Sequence, residues 1–167
     1  MTTAATPPIV GTETYVSFAD ANALAADRLN ADEWRAAVAA YEADQTADPA
    51  AIPVLCRQAL ITATATLDRL TWLGELASPS QPLAWPRRCL SVAADTIPQA
   101  LATACAELAF YLLTPESTRR RDVQMQMIGQ SLETYFPEVA DELPIHVRRL
   151  VGPFLRVRSR HSVELIP

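Results

Sequence analysis

The sequence predicts a mainly α-helical domain of four to five helices, with a small β-hairpin and an extended C-terminal arm. Three observations support this fold class. Half of the 167 residues are hydrophobic and only four are glycine, a composition that favours packed helices. Apolar residues recur at helical spacing through most of residues 15–113. Beyond residue 121 apolar and polar residues alternate, which is typical of strands.

Two short helices are expected first. Ser17 and Asp20 have the spacing of a capping box, in which the first side chain accepts a hydrogen bond from the first turn of the helix. Asn30 and Glu33 repeat this spacing and predict a second helix over roughly residues 31–43.

A third helix is predicted over roughly residues 53–72. Pro53 suits a first helical turn, and Gly74 suits the end of the helix. The spacing of the apolar residues alternates between four and three, which gives one apolar stripe. The stripe consists of Cys56, Leu60, Ala63, Leu67 and Leu70.

A fourth helix is predicted over roughly residues 97–113, with Thr96 and Gln99 as its capping box. It is apolar on several sides and carries Glu107 as its one charge, so we expect it to be the central, most buried helix. The residues expected to form one core with the third helix are Leu60, Leu67, Leu101, Leu108 and Leu112.

The pattern after this helix predicts a hairpin and an arm. Alternation around residues 123–127 and 131–136, separated by Gly129, indicates two strands. A short helix is expected at about residues 144–151, followed by an extended end at residues 157–166.

The chain is therefore expected to have three parts. Residues 1–14 would form a flexible leader, residues 15–118 the helical core, and residues 119–167 the hairpin and a C-terminal docking arm. Prolines and a change of periodicity in the last part leave it few contacts of its own, so we expect partners to order it.

The charge is unevenly distributed along the chain. The net charge is −5, but residues 1–48 carry eight acids against two arginines, and residues 145–167 carry five arginines against one acid. There is no lysine anywhere. An acidic body with a basic tail favours docking or self-assembly over wrapping of nucleic acid.

The motifs of common catalytic and metal sites are missing from the sequence. The two histidines have no metal-site spacing, four glycines leave no phosphate-binding loop, and the three cysteines form no CxxC pair. Two of them, Cys56 and Cys105, fall on apolar helical faces and are expected to be buried and inert. We therefore expect no enzyme, no metal and no cofactor. Without a secretory signal or membrane span, synthesis in a cytoplasm is expected.

Nucleic-acid binding has some support in the sequence. Arg87–Arg88 and Arg119–Arg121 could contact phosphates, and Trp85 could stack on a base. However, the chain is acidic and no aromatic residue is interleaved with the arginines. The favoured interpretation is that Trp85 packs on the helices and that the arginines pair with carboxylates.

Several short segments within residues 13–156 carry a resemblance to a known family. They are Glu13–Ala21, Trp34, Ala63–Leu70, Ala84–Arg87, Ile97–Pro98, Ala104–Ala109, a strand pair around Gly129, and Leu150–Leu155. In this order and spacing they resemble phage and prophage proteins of the head–tail connector type, often labelled "putative DnaT-like". The final segment differs, because it is rich in arginine here and often rich in glycine in that family.

The resemblance implies a structural head–tail adaptor of a tailed phage. Its partners would be further copies of itself in a ring, commonly twelvefold, the portal protein, and a downstream tail, stopper or nozzle protein. Genomic DNA would pass through the ring without specific binding, and no membrane would be involved. The location would be the virion neck, after synthesis in a host cytoplasm. The alternatives are an ssDNA-binding replication module, which the "DnaT-like" label suggests, and a small enzyme.

The residues expected at an interface are the motif around the central tryptophan and the basic residues that follow the core. They are Trp85, Pro86, Arg87, Arg88, Arg119, Arg120, Arg121, Arg148, Arg149, Phe154, Leu155, Arg156, Arg158 and Arg160. For Trp85 two roles stay open, an anchor of the connection against the domain or a contact at a subunit boundary.

Overall fold

The computed structural model of the protein describes residues 4–44, 48, 50–88, 93, 95–115, 125–128, 131–134 and 143–156, with the backbone alone in 125–128 and 131–134. These residues include five α-helices and three short antiparallel strand pairs. The predicted mainly α-helical fold with a small hairpin is confirmed. The predicted extended end at residues 157–166 lies outside the described residues.

The elements follow one another in a simple order. The helices are α1 (Phe18–Ala26), α2 (Asp32–Glu42), α3 (Val54–Asp68), α4 (Gln99–Leu113) and α5 (Ile145–Val151), and a 3₁₀ turn follows at Gly152–Phe154. The strands are β1 (Ala4–Ala5), β2 (Ile52–Pro53), β3 (Glu75–Leu76), β4 (Arg87–Arg88), β5 (Met125–Ile128) and β6 (Ser131–Thr134). Strand β1 pairs with β2, β3 with β4, and β5 with β6.

One of the three predicted capping boxes is confirmed. The Ser17 hydroxyl accepts a hydrogen bond from the Asp20 amide at 3.0 Å and donates one to the Asp20 carboxylate at 2.6 Å. The predicted capping box at Asn30 is wrong, because the residue before α2 is Ala31. The Asn30 side chain instead donates a hydrogen bond to Glu107. The box at Thr96 is also wrong, because α4 begins after Pro98 and the Thr96 hydroxyl donates to Asp95.

The core lies mainly between α3 and α4. All five residues of the predicted α3 stripe are buried, and so is every residue of α4 from Ala104 to Phe110. The prediction that α4 is the central helix is therefore confirmed. Four of the five predicted core leucines are buried, whereas Leu112 is only partly buried and packs against the core. Both Cys56 and Cys105 are buried free thiols, as expected.

Glu107 is buried in the middle of α4, with 6% of its surface exposed. Its Oε1 atom lies 2.6 Å from Arg28 Nε, and its Oε2 atom accepts a hydrogen bond from the Asn30 side chain at 3.0 Å. His146 Nε2 on α5 lies 3.8 Å from Oε2. A buried carboxylate is costly unless such partners compensate it. Glu107 therefore ties the α1–α2 connection to the central helix.

The segments at both ends of the described chain also pack on this core. Val147 and Val151 are fully buried, and α5 packs on α4. The expectation that partners order the whole segment after residue 119 is thus wrong for residues 143–156, because these two valines lie one helical turn apart and share a buried face. Near the N-terminus, β1 pairs with β2, and Thr14 is fully buried. The division into leader, core and arm stays a prediction.

Among the described residues, no helix combines the length and the apolar character that a membrane span requires.

The position of Leu108 gives a direct test of the core. Leu108 is 3% exposed in α4, so Leu108→Ala should lower the free energy of unfolding by about 2–5 kcal/mol, because it leaves a cavity. Leu55→Ala is the matched control, since Leu55 is 58% exposed on α3, and it should change stability by less than about 0.5 kcal/mol. Urea denaturation of both variants measures the difference. Equal stabilities would contradict the placement of α4.

Candidate functional site

Trp85 holds together three segments that are far apart in the sequence. Its side chain is fully buried. The ring meets Trp72 edge to face at a centroid distance of 5.7 Å and Phe154 in the same way at 5.6 Å. Such pairs add to the energy of apolar burial. Of its two predicted roles, Trp85 therefore has that of the anchor, because a fully buried ring offers no surface to a partner.

A polar network fixes the backbone on either side of this anchor. The Tyr15 hydroxyl donates a hydrogen bond to Asp68 Oδ1 and accepts one from the Trp85 amide at 3.2 Å. The Ala84 amide donates to the same Asp68 oxygen at 3.2 Å. Because these groups are wholly or partly buried, leaving any of them unpaired would be costly. The network holds the start of the domain, the end of α3 and the 84–85 backbone in one arrangement.

The arginines that follow Trp85 bind backbone carbonyls. Arg87 donates from Nε to the Leu73 carbonyl at 2.9 Å, from Nη1 to Ala84 at 3.2 Å, and from Nη2 to Gly74 at 2.6 Å. Arg88 donates from Nη2 to the Ala77 carbonyl at 3.2 Å. Among the described residues, these two arginines therefore bind carbonyl oxygens and not the carboxylates that were expected.

The residues after α5 pack beside the segment that follows α3. The Leu73 amide donates to the Phe154 carbonyl at 2.8 Å, and the Arg156 amide donates to the Thr71 carbonyl at 2.9 Å. These two hydrogen bonds flank an antiparallel bridge between Trp72 and Leu155. The predicted interface residues 85–88 and 154–156 are thus brought together around the segment that follows α3.

An open groove of about 450 Å³ lies at this junction. Two leucines on its wall, Leu73 and Leu76, are 41% and 42% exposed. Arg87 and Arg156 line it as well, and its one acid, Asp68, is engaged by Tyr15 and Ala84. The groove therefore combines exposed apolar surface with positive charge, a combination that suits an anionic ligand with apolar parts.

The other predicted interface residues divide into two sets. Arg148 and Arg149 lie exposed on α5. The rest lie outside the described residues: Arg119, Arg120, Arg121, Arg158 and Arg160. The sequence interpretation missed Leu73 and Leu76, although two leucines within two residues of Gly74 in a proline-rich connection were a usable signal.

Within the part of the chain that the structure describes, no three metal-ligating side chains come together as a metal site would need.

The comparison with protein families is decisive for the class of protein. A family model described as "Putative DnaT-like ssDNA binding protein" matches residues 5–163. The chain belongs to this family. The match covers the helices, the hairpin and the groove described above. No curated protein and no solved structure matches the chain significantly.

Membership of the DnaT-like family corrects the main functional prediction. The adaptor interpretation is wrong on this finding, because the family description names ssDNA binding, which was the alternative. The predicted ring, the portal and tail partners, and the passage of DNA without specific binding are corrected with it. The virion-neck location was inferred from the adaptor role and loses that basis, while synthesis in a host cytoplasm stays a prediction.

The anchoring role of Trp85 can be measured. Trp85→Ala should lower the free energy of unfolding by about 3–5 kcal/mol, because a large buried ring is lost from between Trp72 and Phe154. Leu76→Ala in the same connection should have little effect, since Leu76 is 42% exposed. Thermal or urea unfolding compares the two variants. A silent Trp85→Ala would show that the ring does not anchor the connection.

The buried thiols and the Tyr15 phenol predict a loss of stability at alkaline pH. Burial raises the pKa of Cys56 to about 12 and also raises the pKa of Cys105. Burial, and then the hydrogen bond to Asp68, raises the pKa of Tyr15. All three groups hold their protons more tightly in the folded protein. Their contribution to the free energy of unfolding is therefore complete below the pKa values of the unfolded chain, about 8.5–10, and declines above them.

Urea unfolding at about pH 8 and pH 10 tests this expectation, because the stability should fall by up to about 1.4 kcal/mol per pH unit for each group that titrates. Cys56→Ala should reduce the slope. A stability that stays constant over this range would contradict the burial of these groups.

Proposed function

We propose that this protein binds single-stranded DNA and has no catalytic activity of its own. The observation that carries the proposal is the family match over residues 5–163, whose description names this activity. The fold adds support through the arginines at one junction, where Arg87, Arg88 and Arg156 lie at the surface or partly exposed.

The negative net charge does not oppose this function, because the charges are separated along the chain. Eight of the 19 acids precede residue 49, and many of these lie on α1, on α2 or next to them. A local positive potential is what attracts a phosphate backbone, even on a protein that is acidic as a whole. The arginines at the junction, Arg87, Arg88 and Arg156, supply positive charge in a different part of the sequence from these acids.

The described aromatic residues are buried or packed against the core, with no fully exposed ring among them. Base stacking from the described residues is therefore limited, and phosphate contacts should supply most of the affinity. Binding of this kind has little dependence on base sequence and falls steeply with salt.

Fluorescence anisotropy with the full chain tests the proposal. A labelled thymidine oligonucleotide and a duplex of the same length are titrated at about 50 mM and 200 mM salt. We expect the single strand to bind more tightly than the duplex, with an affinity that decreases as salt increases. Absence of binding at the lower salt concentration, or tighter binding of the duplex, would contradict the proposed function.

A further inference from the structure

We propose that the groove between the end of α3 and the 84–88 segment is the site that binds the DNA strand. This inference rests on the proposed function and adds the location of the site and the roles of its residues. In it, Arg87 and Arg156 bind phosphate groups, and Leu73 and Leu76 contact the sugars and bases.

The hydrogen bonds of Arg87 leave donors that can bind a phosphate. An arginine side chain has five N–H donors, and backbone carbonyls take one each from Nε, Nη1 and Nη2. Among the described contacts, one N–H therefore remains on each terminal nitrogen. Two such donors on one planar group match two oxygens of a phosphate. Because carbonyls already hold the guanidinium in place, little side-chain entropy is lost when a phosphate binds.

Arg156 supplies the second cation. Its backbone is fixed by the hydrogen bond to the Thr71 carbonyl, whereas its exposed side chain makes no hydrogen bond to the described residues. Arg156 lines the same groove as Arg87. Two arginines on one groove suit a ligand with repeated phosphates better than a single small anion.

The apolar wall explains why the ligand would be a single strand. Leu73 and Leu76 are exposed by about two fifths of their surface, and both line the groove beside its arginines. In single strands the bases are unpaired and can leave the stack, so their faces are free for contact with a protein. In a duplex the same faces are stacked inside the double helix.

A second groove on the described surface serves as an internal comparison. It has a volume of about 560 Å³ and lies between α1 and the start of α4. Its charged residues are Asp20 and Asp27, with no arginine among those that line it. The two carboxylates would repel phosphates there. Charge, and not volume, therefore distinguishes the proposed DNA site from this second groove.

Two pairs of substitutions in the full chain test the assignment. Arg156→Ala and Leu73→Glu change the groove, and Arg149→Ala and Leu55→Glu are the controls. Arg149 is exposed on α5 outside the groove. Leu55 is exposed at the opposite end of α3 from Asp68, roughly 20 Å away. Thermal unfolding of each variant verifies that it is folded.

The readout is the dissociation constant for a thymidine oligonucleotide and its dependence on salt. We expect each groove variant to bind at least about fivefold more weakly, and Arg156→Ala to reduce the salt slope by about 0.7, the value for one phosphate contact on a single strand. The controls should stay within about twofold of the natural chain. Groove variants that bind like the controls would overturn the assignment and leave the proposed function standing. Absence of binding by the natural chain would overturn both.

Discussion

The arrangement of the candidate site depends on the burial of Trp85 between Trp72 and Phe154. Residues 69–88 contain three prolines and only two short strands, so regular backbone hydrogen bonding cannot hold this connection in place. The three rings supply apolar contact, and the Tyr15–Asp68 pair fixes the adjacent backbone. Arg87 then reaches the carbonyls of residues 73 and 74. The rings and these hydrogen bonds together join three distant segments, and the groove lies where they meet.

Paired carboxylates inside the domain also join segments that are distant in the sequence. Glu107 is compensated by Arg28 and Asn30, and thereby connects α4 with the α1–α2 connection. Asp68 is compensated by Tyr15 and the Ala84 amide. Glu107 is buried and Asp68 is partly buried, and a carboxylate withdrawn from water is costly unless it is paired. The first network joins the helices to one another, and the second joins the helical core to the groove.

The helices could be predicted from the sequence because their apolar periodicity is local. The α3 stripe and the central position of α4 are examples. Helix starts were less predictable, since Asn30 has a spacing typical of a cap but binds Glu107, which lies 77 residues further along the chain. The groove was not predictable at all. Its walls come from residues 68–76, 84–87 and 156, which are brought together by tertiary contacts such as those of Trp72, Trp85 and Phe154.

Function was harder to derive than fold for a related reason. An acidic net charge is visible in the composition, whereas a local cluster of Arg87 and Arg156 appears only after folding. The most direct test of the account is an NMR titration of the isotope-labelled full chain with a thymidine oligonucleotide at low salt. The account predicts that the largest amide shift changes occur at residues 71–76, 84–88 and 156. Changes centred on Asp20 and Asp27, or none near residues 71–76 at saturation, would contradict it.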